Sequence, residues 1–273
     1  MIADDAALAA QLAASAGCIL REVRASGAFA GKALGAAGDA LANRFLVDAL
    51  RAQRPDDGLL SEECKDTPER LSRRRVWIVD PLDGTREYGE GRSDWAVHVG
   101  LAIDGVARIG AVALPDAAGD GAGSDDAGVV LRSDLPAPPP PAHDGPPRLL
   151  VSRTRPAAEA LAVAEQLGGE LVAMGSAGAK AMAVVLGQAE IYLHSGGQYE
   201  WDNCAPVAVA QAHGLHCSRI DGSPLAYNNP DPYLPDLLIC RPEWAGTVLA
   251  KVAAMARDDQ TPQALSARST APR

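Results

Sequence analysis

Val76-Trp77-Ile78-Val79-Asp80-Pro81-Leu82-Asp83-Gly84-Thr85 is the stretch whose reading decides the fold. Its first four residues are a short apolar run, which predicts a buried strand. The strand delivers Asp80 and Asp83 onto a tight Pro/Gly turn, with Gly84 and Thr85 where a helix or loop begins. Carboxylates held this close repel each other unless cations sit between them. Hard divalent ions such as magnesium take oxygen ligands of this kind and leave room for phosphate oxygens. Backbone N–H groups at Gly84 and Thr85 can meet a phosphate at a helix start. The segment reads as a metal-assisted phosphate site. Taken alone, Asp-x-x-Asp also fits a plain acidic turn after a strand.

The rest of the chain bounds this reading. Its 273 residues make one large domain or two lobes. With 47% apolar and 22% charged residues there is ample material for a core. A net charge of −10 argues against a nucleic-acid partner. An anionic substrate must then be attracted locally, by metal ions and a few cations. The lysines are only Lys32, Lys65, Lys180 and Lys251, so a lysine in a Gly/Ser-rich stretch stands out. Five cysteines, odd in number and without a Cys-x-x-Cys pair, suit reduced thiols. Acids follow the initial Met-Ile-Ala where a secretory signal carries positive charge. No apolar run is read as approaching the roughly 20 residues that span a bilayer. The expectation is a soluble, cytoplasmic protein.

Residues 4–24 predict an amphipathic helix. A second is expected over 38–54, stopped by Pro55, with Asp39 in its first turn and Leu41, Phe45, Leu46, Ala49 and Leu50 on one face. Leu59-Leu60 and Val76 to Val79 are strand candidates, and runs at 95–103 and 106–114 flank the hairpin signal Asp104-Gly105, implying an antiparallel sheet. From 116 to 147 the composition turns to Gly, Ala, Asp and Pro, with only a short strand at Val129-Val130-Leu131, and reads as mobile loop and linker. Strand and helix patterns then alternate to about residue 257, which argues for an α/β lobe, and the tail from Asp258 reads as disordered. The expected division is an N-terminal α+β lobe over 1–147, a C-terminal α/β lobe over 148–257 and a tail over 258–273. His98 lies in a strand-like run and reads as structural. His194, His213 and His216 have no zinc spacing.

Further motifs accompany the central one: Glu62-Glu63 after Leu59-Leu60-Ser61, Glu200-Trp201-Asp202, and Gly38-Asp39. In this order the set resembles the inositol monophosphatase superfamily of magnesium-dependent, lithium-sensitive phosphatases. Arg86-Glu87-Tyr88 resembles the Lys-Glu-Phe of its CysQ branch, the 3′-phosphoadenosine 5′-phosphate phosphatases, and Gly175-Ser176 followed by Lys180 resembles that branch's Gly-Ser-Ser-x-Lys. The match is close over 80–101 and 175–240, looser at the N-terminus and absent over 116–147 and the tail. The resemblance implies an α+β fold, a layered α-β-α-β-α sandwich of the inositol monophosphatase / fructose-1,6-bisphosphatase type, with the active site between the two halves.

Carried over residue by residue, the resemblance puts metal ligands at Glu62, Asp80, Asp83 and Asp202 and at the carbonyl of Leu82. Four carboxylates are enough to neutralise two divalent ions. Two magnesium ions are expected, with a third position left open because a glycine, Gly38, precedes Asp39 where the family usually has threonine. Two ions about 4 Å apart can clamp the attacking and leaving oxygens of an in-line displacement. Thr85 would orient the attacking water, Asp39 would hydrogen-bond Thr85 and complete the activating pair, and Glu62 would assist. Gly84 and the Thr85 amide would cradle phosphate. Arg86, Ser176, Lys180 and Glu200 are the expected substrate contacts. A helix-dipole acid is the plain alternative for Asp39, a helix N-cap for Asp202 and a solvated helix face for Lys180.

The implied activity is removal of the 3′-phosphate from 3′-phosphoadenosine 5′-phosphate, with the phosphosulfate, inositol monophosphate or fructose bisphosphate as further substrates. Alternatives are an inositol or sugar phosphatase, or a non-catalytic phosphometabolite-binding protein. The partner is a small phosphomonoester, with no nucleic acid and no membrane, and the chain is expected as a monomer or homodimer.

Overall fold

A computed structural model describes residues 2–117, 128–138, 140–141 and 143–259. Two five-stranded sheets alternate with three pairs of helices. The first sheet has the order β1 (Gly58–Ser61), β2 (Arg75–Asp83), β3 (Ala96–Ile103), β4 (Val106–Leu114) and β5 (Val129–Arg132). The second has the order β7 (Glu170–Met174), β6 (Arg148–Ser152), β8 (Ile191–Tyr199), β10 (Tyr233–Cys240) and β9 (His216–Ser218). Helices α1 (Ile2–Ala25) and α2 (Gly31–Gln53) cover the outer face of the first sheet. Helices α5 (Ala177–Val185) and α6 (Glu200–Ala212) lie between the sheets, and α4 (Ala158–Leu167) and α7 (Pro242–Asp259) cover the outer face of the second. The layers run α-β-α-β-α, as the resemblance implied.

Burial on both faces explains the near-continuous apolar strands. Val76 and Ile78 of β2 face the central helices, whereas Trp77 and Val79 face α1 and α2. Leu237 and Ile239 of β10 likewise face the central layer, and Leu238 and Cys240 the outer one. Each fully buried side chain of this size contributes about 1.5–3 kcal/mol. Asp104 and Gly105 both have positive φ, 53° and 76°, which suits the two-residue turn joining β3 to β4. The first sheet is antiparallel except at β1, which pairs parallel to β2.

Several boundaries differ from expectation. α2 begins at Gly31, so Asp39 lies in its third turn and not its first. Gly35 and Gly38 there are sites of close packing. A Cβ at Gly35 would come within 2.8 Å of Thr85 Cγ2, and one at Gly38 within 2.9 Å of both Leu20 and Tyr88. The buried face of α2 is Leu34, Asp39, Ala42, Leu46 and Leu50, while Leu41, expected on it, is half exposed. α7 continues through Asp259, past the expected start of the tail. Residues 260–273 and 118–127, on which the tail and part of the linker readings fall, lie outside the described residues.

One membrane expectation is also corrected. Residues Asp4–Ala25 reach a mean hydropathy of 1.2, long and apolar enough to cross a membrane by length and composition. Half of that stretch is buried in the fold, where α1 packs on α2, β3 and β4.

Candidate active site

The carboxylates separated in sequence meet at the junction of β1, β2 and α6. In a regular strand Asp80 and Asp83, an odd number of residues apart, would point to opposite faces. A register shift against β3 falls between them: Asp80 pairs with His98 and Asp83 with Ala96. The extra residue on β2 is a bulge, and it turns both side chains to the same side. Asp202, in the first turn of α6, completes a cluster in which one carboxylate oxygen from each of Asp80, Asp83 and Asp202 lies within 4.8 Å of the others. Glu62 follows β1, its N–H still held by Val79 O at 3.4 Å, and its carboxyl shares a hydrogen bond with Asp80.

The charges in this group are poorly balanced. Burial pushes Asp80 well above the usual aspartate range, and Glu62, Asp83 and Asp202 add to the effect. Burial, then the Asp83 charge, raises Glu62 to about 7 and Asp202 to about 7. Burial, then Glu63 and Glu62, raises Asp39 to about 8, and Asp39 Oδ1 is buried without a hydrogen-bond partner. Asp83 alone moves the other way, to about 2: burial opposes ionisation, but His98, Ser176 Oγ and the Gly178 N–H outweigh it. An oxygen-only set of mutually repelling carboxyls fits a hard divalent cation. The acidic cluster can hold a metal ion.

Two cavities open on the cluster. One, of about 660 Å³, is lined by Asp39, Glu62, Glu63, Thr85, Arg86 and Lys32 among others. The other, of about 230 Å³, carries Asp83, Gly84 and Asp202 together with Arg86, Arg155 and Lys180. Arg86 borders both. Gly84 has φ +91°, and a Cβ on it would press on Ser176, Trp95 and the Asp94 carbonyl at 3.2–3.3 Å, so the turn between β2 and the short helix α3 (Thr85–Gly89) requires glycine.

The sequence model of the inositol monophosphatase family matches residues 3–256. The chain belongs to the inositol monophosphatase family. It is 49% identical over 262 residues to a 3′-phosphoadenosine 5′-phosphate phosphatase of Mycobacterium leprae, covering 91% of this chain and 93% of that protein. It is 32% identical over 206 residues to the 3′(2′),5′-bisphosphate nucleotidase CysQ of Escherichia coli, covering 72% of this chain and 81% of that one. Among solved structures, CysQ from Bacteroides thetaiotaomicron superposes with a TM-score of 0.72 at 24% identity, covering 87% of this chain and 97% of that chain. Inositol monophosphatase II from Staphylococcus aureus superposes with a TM-score of 0.73 at 20% identity, covering 95% and 98%. These last two likenesses are of fold.

Within this inositol monophosphatase family site, several residues stand differently from the sequence reading. Thr85 Oγ1 donates to the Leu82 carbonyl at 3.0 Å and not to Asp39, whose carboxyl instead hydrogen-bonds Glu63. Leu82 O thus already accepts one bond. Ser176 caps α5, accepting from Ala179 N at 2.9 Å, and its hydroxyl donates to Asp83. It lines the smaller cavity but is committed to the carboxylate. Lys180 is 4% exposed, so it is on no solvated face; Nζ donates to the Gly175 and Ser176 carbonyls. Glu200 is turned away from both cavities. Wholly buried, it accepts from Asn228 N, Asn229 N and Asn229 Nδ2 at 2.7–2.8 Å and anchors the loop before β10. Asp202 is the third residue of α6 and not its cap; its Oδ2 accepts from Tyr199 N at 2.6 Å.

Two residues of the site were read otherwise or left open. His98 was read as structural, yet its ring lies against Asp83. Glu63, which the motif leaves without a role, is the partner of Asp39. No local pattern marks the first, because β3 is buried on both faces and shows no alternation.

Proposed function

We propose that this chain is a magnesium-dependent phosphomonoesterase that removes the 3′-phosphate of 3′-phosphoadenosine 5′-phosphate in the cytoplasm, serving sulfur assimilation. The observation that carries this reading is the convergence of Glu62, Asp80, Asp83 and Asp202 with no lysine or arginine in ion-pair contact with them among the described residues, where only the His98 ring lies against Asp83. The substrate reading draws on relatives of that name that are half identical over nearly their whole length. It draws too on the basic lining of the smaller cavity, where Arg86 and Arg155 suit a second anionic group above the buried Lys180. The free state of all five thiols agrees with a reducing compartment.

Glu62, Asp80, Asp83 and Asp202, with the Leu82 carbonyl, would hold two magnesium ions. Bound there, the ions supply charge neutralisation for the phosphoryl group and acidify water. Thr85, whose hydroxyl proton is engaged by Leu82 O, has its lone pairs free to accept from the attacking water. Asp39 and Glu63, on the same cavity wall, receive the proton that the water gives up. Water oxygen bonds to phosphorus, the bond from phosphorus to the 3′ oxygen breaks, and that oxygen leaves with the electron pair and takes a proton from solvent. Gly84 gives the phosphoryl group close access to the backbone. Ser176 acts through Asp83, and Lys180 supplies positive charge from beneath the cleft floor.

The test is phosphate release from 3′-phosphoadenosine 5′-phosphate, its phosphosulfate, inositol 1-phosphate and fructose 1,6-bisphosphate, each with magnesium and with chelator. The expected result is magnesium-dependent release with the highest kcat/KM on the nucleoside bisphosphate. Undiminished release in chelator rejects the metal reading, and preference for inositol phosphate rejects the substrate reading.

A further inference from the structure

His98 takes no part in the chemistry above, yet it is wholly buried beside the acidic cluster. Its Nδ1 stands 2.9 Å from the Trp201 carbonyl, the residue before Asp202. A carbonyl only accepts, so Nδ1 is the donor there, and this fixes the ring. Its Nε2 stands 3.3 Å from Asp83 Oδ2. One imidazole therefore spans β2 and the first turn of α6, two elements far apart in the chain that each bring a carboxylate to the cluster. The space for it is built in: Gly178 has no side chain, and a Cβ there would collide with the ring. The remaining contacts of Asp83 come from α5, through Ser176 Oγ, Ala177 N and Gly178 N. Those bonds fix Asp83 against α5 but not against the α6 turn.

We propose that His98 is a positioning residue for the metal-binding carboxylates, an inference that rests on the metal assignment above: it sets Asp83 relative to the turn that presents Asp202. Partners that orient metal ligands from outside typically change affinity about 10–100-fold when lost. The ring's two contacts and the space Gly178 leaves for it hold His98 in that place.

Isothermal titration of magnesium into the metal-stripped full chain tests this. His98→Leu removes both ring nitrogens at similar volume, whereas His98→Gln keeps a polar side chain that can still donate to the Trp201 carbonyl and lie against Asp83. The expected result is a magnesium dissociation constant raised about tenfold or more in His98→Leu and largely restored in His98→Gln, with the metal-free melting temperature of His98→Gln close to that of the unaltered protein. Gly178→Ala displaces the ring without altering His98 and should match His98→Leu; it decides the matter if His98→Leu does not fold. Unchanged affinity in His98→Leu or Gly178→Ala overturns the proposal, as does a loss that His98→Gln leaves wholly unrestored. If the unaltered chain takes up no magnesium, the metal assignment itself falls and this inference with it.

Discussion

Asp5 and Asp80 are both buried aspartates on elements of the same half of the chain, and they are treated in opposite ways. Asp5, in α1, is gripped by Arg54 Nε at 2.8 Å and Arg75 Nη2 at 3.0 Å. Asp236 is held by both ends of Arg219, and Glu190 by Arg148. Asp80 accepts from the Leu82 N–H at 2.9 Å and otherwise faces Glu62, Asp83 and Asp202. A chain with 25 basic residues, mostly arginine, brings none of them into ion-pair contact with this group among the described residues. Burying a charge without a partner is expensive. Arginine neutralises the acids that hold the fold together, whereas the cluster, with only His98 beside Asp83, is left able to take up a metal ion.

The comparison breaks most visibly in activity. Asp80→Asn should lower magnesium-dependent phosphate release by about 10³-fold, the scale of losing a principal electrostatic contact in a catalytic site; activity within tenfold of the unaltered protein would remove Asp80 from the site. The same variant sharpens the contrast in stability. Without metal, Asp80→Asn should melt at or above the temperature of the unaltered protein, because a repelled charge has gone. Asp5→Asn should destabilise by about 3–5 kcal/mol, since two arginines lose their partner, and calorimetry would show both signs.

Proton linkage separates the regions next. Asp39, Glu62 and Asp202 sit at about 8, 7 and 7 in the fold, above their ordinary values. A raised acid stabilises the fold below its unfolded pKa and loses that contribution as pH rises through the folded one. Metal-free protein should therefore become less stable from about pH 4 to pH 8, and saturating magnesium, which needs ionised ligands, should flatten or reverse that trend. Glu190, held below its ordinary range by Arg148 against the pull of burial, works in the reverse sense: its contribution is present above the unfolded pKa and fades as the solution is acidified. Melting curves across this range, with and without magnesium, check both. Smallest of all, Arg44→Ala should move the melting temperature by under about 1 °C, because its i,i+4 partner Asp48 and Arg44 itself are largely in water.

Much of this was legible before the fold was known. The apolar run before Asp80, the Asp104-Gly105 hairpin and the alternation after residue 148 are local signals, and the structure follows them. The resemblance brought Glu62 and Asp202 to the same site, which no local pattern could do. What escaped depends on contacts across the chain. Gly38 read as a helix start, but it and Gly35 are gaps inside the helix into which Tyr88 and Thr85 fit. Glu200 looked like a substrate contact until the Asn228-Asn229 backbone took both its oxygens. The bulge that turns Asp80 and Asp83 to one side is a register fact about two strands, invisible in either alone.

Diffraction from crystals soaked in manganese, a magnesium surrogate with a usable anomalous signal, tests the central claim most directly. The result expected is strong anomalous density among Glu62, Asp80, Asp83 and Asp202, and none beside Asp5, Glu190 or Asp236. Well-diffracting crystals with water alone in that cage would contradict it.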